Sequence, residues 1–551
     1  MEASALLLAT LIACIAVMIV LWARNREKNH NLFKRYGIPG PEPSFWWGNL
    51  KDMKCKPTKN ETITAWLKKY GDVFGYFLGE VPFVVVKDLE MLKQVQHYLH
   101  DAHTSSTDYE FMFPAVACIK KVLNKFKTAK EMTDLVVSSV SKAITERSKN
   151  PEIKSMDFLQ LMLDRRENNE IAASLSNQDI LHNVFLFILG GYESSSISLA
   201  FTFYLLAEHP EIQEKLYEEI KKANDDNYIT VQNLPYLNQV LMESLRLYPP
   251  LTGFITRECS EDYQVGSVTI PKGAIVEAPV WDIHHDPDLW PDPWKFDPDR
   301  FSPENKASLN TMAYMAFGIG RRNCIAEKFA LAEAKLAIFR LVKKFQFEAC
   351  DKTNGLLSLI CRSVMTFPAA GINLRAVPRT ATLYTLLFKS KINSESIAGK
   401  HSIGIMTMIG GAYDAERVVD ITVSVVRKKA GNKEMFDMSE LTQGLTIDVI
   451  AGCTFAMKTN CQENPHDTLL NSVRGAFRVA RNKALFYTLL CFHLYMTTWL
   501  FSTNIQLLEK MNALIMDSVS KAITERHKNR QAKRLDLLQL MLEHSEAQRF
   551  S

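Results

Sequence analysis

The spacing of apolar residues divides the chain into segments of different character. Ala5–Ala23 is apolar throughout except for Thr10. At about 1.5 Å per residue, a helix of that length covers the ~30 Å hydrocarbon core of a bilayer. Arg24, Arg26 and Lys28 follow it, and positive charge there keeps the rest of the chain cytosolic. The apolar run is long and carries no positive charge ahead of it, which predicts an uncleaved anchor rather than a signal peptide. Ile38-Pro39-Gly40-Pro41-Glu42-Pro43 cannot continue a helix and predicts a stiff hinge. Residues 62–98 read as a helix, two short strands and a second helix, and residues 129–170 as helical with a charged link at Glu146–Lys154. Gln178–Ala207 is a long apolar helix, and Leu234–Tyr248 a shorter one that Pro249-Pro250 ends. From Leu251 the pattern turns to strands and turns, with a turn signal at Lys272-Gly273. Helical periodicity returns after Ala326, and FQFEAC and FPAAGINLRAVPR read as closing strands. The fold class expected is mainly α with small β-sheets.

Composition narrows this picture only slightly. The chain has 551 residues, 47% hydrophobic and 23% charged, an ordinary globular balance with room for more than one domain. A net charge of +4 makes no case for nucleic acid. The 10 cysteines form no CxxC pair, which argues against a disulfide framework or a zinc site and suits a reducing compartment.

Candidate chemistry gathers at three places. In Phe317–Ala326 (FGIGRRNCIA), Cys324 follows two glycines and two arginines and stands at the entrance of a helix. Positive charge and unpaired N–H groups both favour a thiolate there, while the glycines allow a tight turn and close approach to a flat ligand. A Gly-rich turn with a small buried Cys is the plain alternative. In the long helix, Gly190-Gly191-Tyr192-Glu193-Ser194-Ser195 is a poor local choice, since each glycine costs about 1 kcal/mol against alanine and a buried Glu needs a partner. Glu243 and Arg246 lie three apart on one helical face, a spacing that also suits a surface ion pair. His284-His285 lacks further ligands at metal spacing and reads as a structural pair.

Phe317, Gly320, Arg322 and Cys324 fit the FxxGxRxCxG haem loop of the cytochrome P-450 superfamily, with Ala326 departing from the final glycine. The resemblance extends over most of residues 1–379. Gly190, Gly191, Glu193 and Ser194 resemble the family's [AG]Gx[DE][TS] motif, with serine in place of the commoner threonine. Glu243 and Arg246 resemble its ExxR pair, and Phe296–Phe301 its FxPERF motif with Asp299 for Glu. The resemblance implies a cytochrome P-450 fold with an amino-terminal transmembrane helix and haem b between the distal helix and the loop. Cys324 would be the axial iron ligand, with Phe317 and Gly318 beside the cofactor. Arg322 and Arg257 would hold propionates, and Glu193 and Ser194 would deliver protons. Glu243, Arg246 and Arg300 would form a structural brace. The implied activity is a monooxygenase that inserts one atom of O2 into an apolar small molecule. Its electrons would come from NADPH through NADPH–cytochrome P-450 reductase, at the endoplasmic reticulum membrane, with a single span and a cytosolic catalytic domain. The details look closest to the drug-metabolising and thromboxane-synthase-like group. The alternatives are a haem-thiolate isomerase and an inactive, truncated or fused family member.

The departures from the family are large. After Asp101 the family continues into a helix carrying Trp-x-x-x-Arg, yet no Trp lies between Trp66 and Trp281, which implies an internal deletion near 101–110. Conversely, the chain runs on past Arg379. Ser139–Leu163 recurs as Ser518–Leu542 at a constant offset, with the first 9 residues identical. MFDMSELTQGLTIDVIAGCTFAMK, within residues 403–510, resembles helices missing after Asp101. The expected organisation is an anchor (1–23), a basic connector and hinge (24–44), a catalytic domain (45–379) and a partial duplicate of its amino-terminal half (380–551). Two joined neighbouring paralogues or a decayed fusion would both produce it. Bringing 403–510 back beside the haem loop would need a non-sequential rearrangement that no sequence feature selects for, so the tail is not expected to complete the core.

Overall fold

The computed structural model describes residues 17, 20–55, 58–101, 137–138, 140–147, 149, 159–160, 162–163, 177–306, 309–320, 323–351, 357–361, 365–379, 403–455, 459–464 and 466–482. All of them fall in one compact unit, Met1–Ala484. The expected deletion near 101–110 and most of the apolar run Ala5–Ala23 lie outside the described residues. Among the described residues no helix is long and apolar enough to cross a membrane.

The chain's first helical stretch ends against the body of the protein. Buried Arg26 donates to the Phe45 carbonyl, to the Trp46 carbonyl at 2.9 Å and to Glu80. The proline segment behind it is tied to the first strand, where the Gly75 N–H donates to the Pro39 carbonyl at 2.8 Å. Helix α1 (Lys59–Tyr70) is capped by Thr58, whose side chain accepts from the Glu61 N–H. Strands β1 (Val73–Leu78) and β2 (Val81–Val86) form a hairpin whose two-residue turn uses Gly79 at φ +63°. Helix α2 (Leu89–Asp101) follows.

The long apolar segment is one helix, α3 (Asn177–Glu208), succeeded by α4 (Pro210–Lys222) and α5 (Pro235–Leu247), each opened by proline at the first turn. Strands β3 (Phe254–Glu258), β4 (Tyr263–Val265), β5 (Val268–Ile270) and β6 (Ile275–Ala278) come next. The main sheet has the order β1-β2-β6-β3, with β2 and β6 parallel, and β4-β5 is a separate hairpin. Helix α6 (Glu327–Lys344) leads into β7 (Phe345–Ala349), then β8 (Leu359–Cys361), β9 (Thr366–Pro368) and β10 (Asn373–Pro378). The mainly α architecture with small sheets is as expected.

The expectation for the tail fails for residues 403–482. Helix α7 (Ile403–Gly431), strand β11 (Met435–Asp437), helix α8 (Met438–Phe455) and helix α9 (Thr468–Asn482) all build onto the body. β11 pairs antiparallel with β10, completing the order β11-β10-β7. The Asp437 carboxylate accepts from the N–H groups of Ile372 (3.0 Å) and Ser439 (2.8 Å), which fixes this edge. Val419, Val423, Phe436, Met438 and Leu445 share one core with Leu199 and Phe203 of α3 and with Ala337 and Phe339 of α6. Arg340 of α6 pairs with Asp420 of α7 at 2.7 Å. Burial of this many apolar side chains outweighs the entropy of closing a long loop, a cost that grows only slowly with its length.

Candidate functional site

The Cys324 loop takes its shape from two left-handed residues. Gly318 and Gly320 both have φ of +76°, a conformation that glycine adopts at little cost. The Gly318 N–H donates to the Met315 carbonyl (2.9 Å), and the Cys324 N–H closes the loop on the Phe317 carbonyl (2.8 Å). Phe317 packs its ring against the main core. Ala326, which departs from the family pattern, has φ −96°, so an L-residue fits there without strain. Half-buried Cys324 thus sits just ahead of α6. Burial pushes its thiol above the ordinary range, the Ala326 N–H opposes that rise, and Glu327 adds to it. Arg322 lies outside the described residues.

Behind the loop is an ion-pair network centred on the fully buried Glu243 and Arg246. Arg246 clamps Glu243 through two hydrogen bonds, of 2.7 and 2.9 Å, with both side chains 0% exposed. Arg300 and the Asp297 N–H also donate to Glu243, at 3.3 and 3.1 Å. Burial still holds the Glu243 carboxyl above its usual range, against the pull of Arg246. Arg246 also donates to the His284 carbonyl at 2.7 Å. The Met315 N–H donates to His284 Nε2 at 2.9 Å, so Nδ1 carries the ring proton and donates to the Arg246 carbonyl at 3.1 Å. His284 therefore links the brace to Met315 and, through it, to Gly318. The His285 ring packs at a tilt against Trp281 and Trp294 and bonds the Trp281 carbonyl at 2.8 Å. Among the described residues no cluster of metal-ligating side chains occurs.

On α3, Glu193 is buried and Ser194 is half-buried. The Ser194 hydroxyl donates back to the Gly190 carbonyl at 2.7 Å, a bond that bends and loosens a helix. A side chain at Gly190 would meet open space, whereas one at Gly191 would meet Ile450 of α8 at 2.7 Å. Further along, Ser198 donates to the Ser194 carbonyl and Thr202 to the Ser198 carbonyl. Thr202 also shares a 2.8 Å hydrogen bond with Ser244, between Glu243 and Arg246. This link between distal helix and brace is a site feature that sequence reasoning missed, although the four-residue spacing of Ser194, Ser198 and Thr202 was a usable signal. Arg257 falls on β3 opposite Val276 of β6, beside a break in register; its side chain lies outside the described residues. The structure places Phe317, Gly318 and Cys324 on one loop and Glu193 and Ser194 on one turn of α3. Helices α3 and α6 share the main core.

A family model for Cytochrome P450 matches residues 87–372 and 415–551. The chain is similar to Cytochrome P450 3A41 of Mus musculus, 30% identical over 500 residues that cover 67% of this chain and 97% of the relative. Cytochrome P450 3A31 of Mesocricetus auratus is 29% identical over 497 residues, with the same coverage of 67% and 97%. Cytochrome P450 3A12 of Canis lupus familiaris is 37% identical over 278 residues, 49% of this chain and 55% of the relative. The mouse and hamster pairings span nearly the whole relative with two thirds of this chain, so they step over stretches that the chain lacks in that order. The family match runs through the Cys324 loop and resumes inside the tail, and on that evidence the chain belongs to the cytochrome P450 family.

Proposed function

We propose that the chain is a haem-thiolate monooxygenase acting on apolar small molecules. The observation that carries this reading is the Cys324 loop, held open by Gly318 and Gly320 and tied through Met315 and His284 to the Glu243–Arg246 brace. These residues fit a haem: a soft sulfur donor at a loop tip, glycines beside it, and open space over Gly190 on the distal helix. Cys324 would hold the iron, with Phe317 and Gly318 alongside and Arg322 and Arg257 toward the propionates. A thiolate-ligated haem supplies dioxygen activation when bound. The chain's own part is to keep the Cys324 sulfur anionic, for which binding to the metal must overcome the burial that raises its pKa. Glu193 and Ser194 would hold and pass protons on the distal side, with Ser194 also loosening α3 through its bond to the Gly190 carbonyl.

In this reading electrons come from NADPH through NADPH–cytochrome P-450 reductase. Residues 1–23 would anchor the protein in the endoplasmic reticulum membrane by a single span, with residues 24–44 as connector and the catalytic domain cytosolic. Residues 380–551 would be an incomplete second copy of the amino-terminal half, whose helices α7 and α8 serve the first. No observation favours the isomerase alternative. The test is spectroscopic: reduced protein under carbon monoxide should absorb near ~450 nm, the signature expected of thiolate ligation. Cys324→Ala should abolish the band, and its survival in that variant would refute the assignment.

A further inference from the structure

His284 stands between the brace and the approach to the Cys324 loop, and both of its ring nitrogens are in use. Nδ1–H donates to the Arg246 carbonyl near the end of α5. That carbonyl has no partner within the helix, because four residues on stands Pro250, which has no N–H to offer. Arg246 returns the bond, since its Nη1 donates to the His284 carbonyl. At the far end of the ring, Nε2 accepts from the Met315 N–H, and the Met315 carbonyl in turn accepts from the Gly318 N–H. His284 and Met315 are both buried. The Tyr314 ring lies nearly parallel to the imidazole, with centroids 5.7 Å apart and 6° between the planes, which restrains the ring further.

The two ends of the ring meet different demands. The Arg246 end needs a donor and the Met315 end an acceptor, on opposite sides of one rigid group that carries no charge beside the guanidinium. A neutral imidazole meets all three, whereas asparagine and glutamine hold both groups at a single tip. Burial, with His285 and Arg246 adding to it, pushes the His284 ring down to about 3, so Nε2 stays an acceptor at ordinary pH. We propose that His284 is a positioning residue for Cys324, and that its Met315 end, rather than its Arg246 end, sets where the loop presents the sulfur. The Arg246 end serves the stability of the brace. The Met315 end fixes the residue from which the Gly318 turn starts, so its loss shifts the turn without unfolding the body. The use made of the sulfur rests on the haem-thiolate reading; the geometry does not.

The test separates the two ends. Asparagine at 284 reaches only as far as Nδ1 and glutamine as far as Nε2, so His284→Asn keeps the Arg246 end and His284→Gln the Met315 end. In the haem-loaded full chain, reduced under carbon monoxide, His284→Asn should lower the ~450 nm band roughly tenfold, the effect of one buried N–H left without a partner. His284→Gln should keep most of the band. Urea midpoints should not follow that order, because His284→Gln gives up the bond to the brace. A band that merely tracks the midpoints, or that falls equally in both variants, would overturn the proposal. Hydrogen exchange in the full chain without haem keeps this result apart from the fate of the haem reading. The Met315 and Cys324 amides should exchange roughly tenfold faster in His284→Asn than in the parent, and at the parental rate in His284→Gln. No acceleration in His284→Asn would overturn the proposal. Should that variant fail to fold, the unaltered chain decides. A Met315 amide protected like those of α5 supports the proposal, and one that exchanges as fast as an open loop would overturn it.

Discussion

Glu243 and Glu333 are both buried glutamates of one compact unit, and they live in opposite conditions. Glu243 receives hydrogen bonds from two arginines and a backbone N–H. Glu333, on α6, lies beside the Thr446 hydroxyl of α8, and neither of its oxygens has a partner of good geometry among the described residues. The first carboxylate belongs to a network formed wholly within residues 243–315. The second sits at the seam where the returning tail meets the body. In the brace each oxygen of Glu243 has a donor. Across the seam Arg340 pairs with Asp420 and Asp437 accepts from Ile372, while Glu333 is left without a donor of good geometry among the described residues. Apolar burial holds the seam together, and at Glu333 the polar fit lags behind it.

The largest effect should come from breaking the satisfied network. Arg246→Ala leaves Glu243 buried with its main partner gone, which costs about 3–5 kcal/mol. It also frees the His284 carbonyl and disturbs the route to Met315. Urea unfolding should show a loss of that size, and the loaded protein should lose its haem. A loss below 1 kcal/mol would mean that the network is not what supports the Cys324 loop.

Next in size is the seam. Burial pushes the Glu333 carboxyl up to about 8 from 4.5, so near neutral pH the folded protein keeps a proton that the unfolded chain has released. Folding therefore binds a proton between those values, and stability falls with rising pH by about 1.4 kcal/mol per unit across that window. Below it the contribution is constant; above it the loss is complete. Glu333→Gln should remove this slope and leave a protein more stable than the parent at pH 8. Parallel pH–stability curves for parent and variant would show that the Glu333 proton does not govern the seam.

These two glutamates also mark how far the sequence could be read. Cys324 was legible as the end of a glycine-turned loop because short spacings encode local geometry. The brace of Glu243, Arg246 and Arg300 was legible only through the family resemblance, since the spacing of Glu243 and Arg246 alone also suits a surface pair. The helices at 177–208 and 235–247 followed from periodicity. The role of His284 did not, since its bond to Met315 depends on how two turns meet. The return of residues 403–482 was illegible for a stronger reason. The resemblance of α8 to helices missing after Asp101 pointed to the gap it fills, but an amphipathic helix states only that it will bury a face, not that a non-sequential return will bring it to its partner. Ala326 departs from the motif's final glycine without cost, because its φ of −96° never required glycine.

The smallest effect tests the seam at a single contact. Gly190 and Gly191 are neighbours on α3, and alanine at either should gain about 1 kcal/mol of helix stability. At Gly190 the new methyl meets open space, so Gly190→Ala should stabilise the protein by about that amount. At Gly191 the methyl would arrive 2.7 Å from Ile450 Cδ1, and α8 would have to give way. Gly191→Ala should therefore gain nothing or lose about 1 kcal/mol, since overpacking a filled core costs on that order or more. Ile450→Val removes the offending methyl, so the pair Gly191→Ala with Ile450→Val should recover the gain that Gly190→Ala shows alone. That non-additivity is the readout, because only residues in contact couple in a double-mutant cycle. Strict additivity would mean that α8 does not lie against Gly191, and with it would go the packing by which the tail completes the fold.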